Sequence, residues 1–200
     1  MTYLPAHQAQ LGAGTPVPKR TRGSRDCGPR SASVGVDKLT EGEKVPRMPE
    51  MRQRMGTPGP QTTNVLDIKR GVESYKRPKG REPLRFLLRN STAGLMKAAR
   101  RGRGVQWCID YGVWNRIMGR TGDPNFTGGH AVDTMGFRVR NGEDWLLLYD
   151  SLDDKRRSEI PQGPRWVRAR KVIAAAEAFA GGNGRAQGGV FAGGQKRGAA

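Results

Sequence analysis

Cysteine is nearly absent from this 200-residue chain, which has two, Cys27 and Cys108. Two thiols that far apart match neither a zinc-ligand spacing nor a disulfide framework, so the fold must do without either staple. Acidic residues are also scarce, 18 Asp and Glu against 36 Lys and Arg, a formal net charge of +18. Hydrophobic residues reach only 35% and aromatics 6%, low for a chain that is globular throughout. No apolar run is long enough for a membrane span, and no basic start with an apolar middle marks a signal peptide. A reducing host cytoplasm, or a virion assembled there, is the compartment these absences fit.

Glycine, by contrast, is abundant at 29, with 13 prolines, and both gather at the ends and in the linkers. This predicts a flexible basic arm over 1–22, a folded domain over 23–180 and a Gly/Ala-rich tail over 181–200 that adds nothing to the core. Helical spacing of Ala32, Val36 and Leu39 predicts a helix over 27–39. Methionines at 48, 51 and 55 predict a second over 49–55, stopped by Gly56. A third carries Val65, Ile68 and Val72 behind a Thr62 or Thr63 cap, and a fourth follows Ser91 with Leu95, Met96 and Ala99. Strands are expected near 83–88, 105–111, 130–139 and 145–149, the last two joined by an Asn141-Gly142 hairpin turn. A loop is expected from Trp114 to Thr127, an edge strand at Trp166-Val167 and a last helix over 172–179. The sum is an α+β fold, with leading helices packed on an antiparallel sheet.

The chain turns from loop to helix at Cys27. A thiol there meets unpaired backbone N–H groups at the positive end of the helix dipole, which favours the nucleophilic thiolate. Gly28 leaves the sulfur unobstructed. Cys108, inside an apolar strand, reads as a core residue. His130 opens one strand and Asp150 closes its hairpin partner, giving the parts of a cysteine–histidine–carboxylate constellation. A simple two-residue hairpin sets Asp150 beside Asp133 and His130 beside Asp153, so Asp153 competes with Asp150 to orient the imidazole. No metal or other cofactor is called for.

Asp26-Cys27-Gly28-Pro29, Gly129-His130-Ala131-Val132 and Leu148-Tyr149-Asp150 together resemble the papain-like cysteine peptidases of the bacteriocin-leader-processing (double-glycine) type. The segment from Met55-Gly56-Thr57 to Leu66 also resembles the helix–turn–helix of that family, and the similarity spans about residues 22–152. It implies amide hydrolysis of a peptide or protein substrate, with Cys27 as nucleophile, His130 as acid and base, and Asp150 as orienter. Two positions depart from the pattern. Thr21 stands where the family carries the oxyanion glutamine, and Ser151 stands where a proline often follows the aspartate. The segments 128–131, 149–154 and 160–166 also resemble small proteins of actinobacterial bacteriophages.

The charge points to a second class of role. Residues 69–103 hold twelve Lys and Arg against two Glu, a surface suited to nonspecific nucleic acid, another polyanion or an acidic partner such as a virion protein. No aromatic-interleaved nucleic-acid motif accompanies that run, so base-specific readout is not expected.

Overall fold

Capping chemistry decides where the helices begin, as the computed structural model, which describes residues 27–59, 62–75, 82–120, 128–150, 164–180 and 188–194, makes plain. Helix α1 (Cys27–Leu39) buries Ala32 and Val36 and unwinds through Glu41 and Gly42, both at positive φ. Helix α2 (Met48–Met55) buries its three methionines and stops at Gly56, at φ 73°. Helix α3 (Val65–Glu73) is capped by Asn64, not by the expected Thr62 or Thr63. The Asn64 side chain accepts from the Leu66 and Asp67 N–H groups, and Asp67 accepts from the Asn64 N–H at 2.9 Å. Such a reciprocal box satisfies more orphan donors than a threonine alone.

Strand β1 (Arg85–Arg89) precedes helix α4 (Thr92–Arg100), which Ser91 caps as read. Strand β2 (Val105–Asp110) is followed by helix α5 (Tyr111–Ile117), where the sequence suggested a loop. Asp110 makes the difference: its side chain accepts from the Val113 N–H at 2.7 Å and starts the turn. Strands β3 (Gly129–Arg140) and β4 (Glu143–Asp150) form the expected hairpin, with Asn141 and Gly142 both at positive φ. Strand β5 (Arg165–Arg168), helix α6 (Ala169–Ala180) and strand β6 (Gly188–Ala192) complete the described chain.

All six strands form one antiparallel sheet in the order β1-β6-β2-β3-β4-β5. The sixth strand overturns the expectation of a Gly/Ala-rich tail outside the core. It inserts between β1 and β2, is buried along its length, and sets Phe191 against Phe86 with centroids 5.1 Å apart and the rings tilted at 52°. Its glycines permit this. A Cβ on Gly189 would come within 2.3 Å of the Phe86 ring, and one on Gly188 within 2.1 Å of the Gln106 carbonyl. Residues that looked too small to build a core are small because the core is already full there.

Helices cover both faces of the sheet. On one side α1, α2 and α3 enclose Met51, Met55, Ile68 and Val72 against Phe86 and Phe191. On the other, α4, α5 and α6 pack Leu95, Trp114, Val172 and Ala176 against Trp107, Val132, Leu146 and Leu148. The architecture is thus α+β, as expected, with helices on both faces. No helix among the described residues is long and apolar enough to cross a membrane.

Candidate active site

A β-bulge decides which carboxylate reaches His130. Leaving the hairpin, Arg140 pairs with Glu143 and Arg138 with Trp145, and then the register shifts between Thr134 and Gly136. Beyond the shift, Val132 faces Asp150, whereas an unbroken ladder would set Asp133 there. Side chains alternate faces along a strand, so one residue of slip changes the face. The extra residue puts Asp150 on the side of Val132 and His130 and leaves Asp133 on the other.

His130 Nε2 lies 2.7 Å from Asp150 Oδ1, with both residues buried. Asp150 Oδ2 accepts from the Trp114 indole N–H at 2.8 Å and from Arg120 Nη1 at 2.7 Å, with Arg165 Nη2 at 4.0 Å. Burial alone would raise the Asp150 pKa. The charge and hydrogen bond of His130, then Arg120 and Trp114, instead hold it far below the ordinary carboxylate range. Trp114 and Arg120 were not singled out from sequence. The available signal was Trp114 itself, since a tryptophan in a core needs an acceptor for its N–H.

Cys27 begins α1 and is half-buried, in hydrogen-bond contact with His130. Because Asp150 holds Nε2, Nδ1 is the ring nitrogen left for the thiol. Burial pushes the thiol pKa up. The hydrogen bond and charge of His130, with backbone bonds at Ala131 and Gly28, overcome this and bring it below its usual value. His130 responds in kind: burial disfavours its charge, but Asp150 and then Cys27 raise it to about 10. Thiolate and imidazolium therefore stabilise each other. Cys108 lies in β2, is half-buried, and burial pushes its thiol up to about 11. The Tyr111 ring meets the imidazole edge-on at 6.2 Å.

Cys27, His130 and Asp150 thus come together from α1, β3 and β4. Asp153, Thr21 and Ser151, with the whole of the expected arm over 1–22, lie outside the described residues. Gly28 has a packing reason besides its place beside the sulfur. A Cβ there would sit 2.0 Å from Thr63 Oγ1 and 3.8 Å from Ile68, so the glycine lets α1 close on the segment before α3. Gly28→Ala is expected to cost about 1–3 kcal/mol through overpacking, read as a lower thermal midpoint. An unchanged midpoint would show that Thr63 swings aside freely.

No group of three or more His, Cys, Asp or Glu among the described residues could hold a metal ion. The chain matches no protein-family model and no curated protein sequence.

Proposed function

We propose that the chain is a papain-like cysteine peptidase that hydrolyses amide bonds in a peptide or protein substrate. The observation that carries this reading is the relay of Cys27 to His130 to buried Asp150, with 2.7 Å between imidazole and carboxylate. The Cys27 thiolate attacks the carbonyl carbon, and the oxyanion gathers against the N–H groups at the start of α1. His130 protonates the leaving amine as the C–N bond breaks, leaving a thioester on Cys27. The imidazole then takes a proton from water, which attacks the thioester and releases the acid. Asp150 holds the ring and balances its charge throughout. Incubating the full chain with a peptide mixture that includes double-glycine sites, and reading new termini by mass spectrometry, tests the proposal. Cleavage that vanishes in Cys27→Ala supports it. Cleavage that survives, or none in the wild type, overturns it.

One observation favours a second reading, a peptidase-fold virion protein that contacts a polyanion. On β3, β4 and β5, Arg138, Trp145 and Arg168 lie opposite one another across the strands. The Arg138 guanidinium stands 4.0 Å over the Trp166 ring, and Arg168 stands 5.6 Å over Trp145. All four residues are half-exposed. Interleaved guanidiniums and indoles offer phosphate contacts beside stacking surface. The basic run at 69–103 is partly neutralised, Lys69 by Glu73, Arg70 by Asp67 and Arg100 by Asp144, and on the indole face Arg168 pairs with Glu143 at 3.0 Å. Titrating single-stranded DNA into the full chain should show binding that weakens by about 10²-fold or more between 50 and 200 mM salt. Arg138→Ala with Arg168→Ala should flatten that dependence. Binding that ignores both changes would remove this face from the account.

A further inference from the structure

One buried polar cluster has no part in the chemistry above. It lies beneath α1, on the face of β3 opposite His130. Asp133 is 3% exposed, and its Oδ1 accepts a 2.5 Å hydrogen bond from the hydroxyl of Ser31, itself 1% exposed. Ser31 follows Cys27 by four residues and shares its face of α1. Asp133 follows His130 by three residues on β3. This side-chain bond ties the helix of the nucleophile to the strand of the histidine, one helical turn from where thiol and imidazole meet.

We propose that Ser31 and Asp133 are positioning residues of this site, whose bond sets the slide and rotation of α1 on β3 and so holds Cys27 against His130. The inference rests on the peptidase reading of the Cys27–His130 pair. Apolar packing alone leaves this freedom open. Around Ser31 the helix meets the sheet through small residues, Ala32 and Gly35, and a Cβ on Gly35 would lie 2.1 Å from the Phe191 ring. Small residues allow close approach, but dispersion contacts have no direction. A buried hydrogen bond does, and an ionised acceptor makes it about twice as strong. Farther along α1, Lys38 Nζ reaches the Met135 carbonyl at 3.5 Å. Asp133 is not a rival orienter, because it faces away from the ring and Nε2 is already held by Asp150.

The charged and titratable groups that act on Asp133 are Lys38 from α1 and Cys108 from β2 and, from the other face of the sheet, His130 from β3 and Asp150 from β4. Burial raises its carboxyl to about 7, offset in part by Ser31, His130 and Lys38, while burial lowers Lys38 to about 8. The bond is accordingly charge-assisted above neutrality and weaker below it.

The test is the rate constant for iodoacetamide alkylation of Cys27, followed from pH 5 to 9 by site mapping on the full chain, with the thermal midpoint measured alongside. Ser31→Ala is expected to slow alkylation at pH 8 by about tenfold and to move the inflection upward, the size of one hydrogen bond to a charged group. Asp133→Asn keeps an acceptor and loses the charge. It should match the wild type near pH 5 and fall about threefold behind at pH 8, half the effect of the full bond. A purely structural role would lower the midpoint and leave the pH profile alone. A Ser31→Ala profile identical to the wild type overturns the proposal. If that variant does not fold, an Asp133→Asn profile unchanged at pH 8 does so. The peptidase reading fails separately: a reactive Cys27 with no peptide cleavage would remove that reading and leave the positioning pair standing.

Discussion

Under the proposed peptidase reading, replacing Cys27 by alanine should cut amide hydrolysis by about 10⁴-fold or more, the scale at which loss of a nucleophile leaves only binding and oxyanion contacts. The fold should survive, because Cys27 is half-buried at a helix start and its side chain is small. The contrast with Cys108 gives a second readout of the same idea. With its thiol pushed up to about 11 by burial, Cys108 is almost wholly protonated at neutral pH. Cys27 is held below its usual value by His130 and the backbone, so it carries far more thiolate. Alkylation in the folded chain should then favour Cys27 by about 10²-fold, since the thiolate is the reacting species. Equal labelling of the two cysteines would mean that the helix start and the imidazole leave the Cys27 thiol unchanged. Faster labelling of Cys108 would end the nucleophile argument.

The positions of Cys27 and His130 were readable because each sits at a boundary that local chemistry marks. Cys27 falls where a loop meets a helix-spaced apolar run, and His130 follows two glycines at the head of a long strand. The hairpin was legible too, since Asn141-Gly142 states its turn directly. The choice of Asp150 over Asp153 was less so. It turns on a bulge at Thr134/Gly136, and no residue type there announces an extra place in the strand. The same slip sends Asp133 to Ser31 and Lys38, a pairing across 102 residues for Ser31 that no local pattern records. Strand β6 was missed for a related reason. Gly188 and Gly189 read as linker, while their smallness answers to Phe86 and the Gln106 backbone, which only the assembled sheet brings near. Helix α5 was hidden because seven residues are too few to show a period, and Asp110 was read as the end of a strand and not as a cap.

On the same proposed reading, Asp150→Asn should be nearly as damaging to hydrolysis as loss of the thiol. In a serine–histidine–aspartate site the same exchange costs about 10⁴ in kcat, because the amide favours the wrong tautomer. Here the carboxylate accepts the proton of His130 Nε2 at 2.7 Å, which leaves Nδ1 facing Cys27. An amide N–H pointed at Nε2 would reverse that order and place a proton between ring and sulfur. Stability should fall as well. Asp150 also receives Trp114 and the nearly buried Arg120, and leaving such a cation without its carboxylate costs about 3–5 kcal/mol. The pH dependence carries the same signature. Asp150 has a depressed folded pKa, so its contribution is present above the unfolded carboxylate range near 4 and is lost as pH falls through the folded value. His130 is raised from 6.5 to about 10, so its contribution is complete below about 6.5 and is lost as pH climbs toward 10. Wild-type stability should therefore decline on the alkaline side between those values, and Asp150→Asn should flatten that decline by returning the imidazole toward its free pKa. Thermal midpoints taken from pH 4 to 10 on both chains would read it. An alkaline decline that persists unchanged in Asp150→Asn would mean that His130 draws its charge from Cys27 alone, with Asp150 a partner of Arg120 and not of the ring.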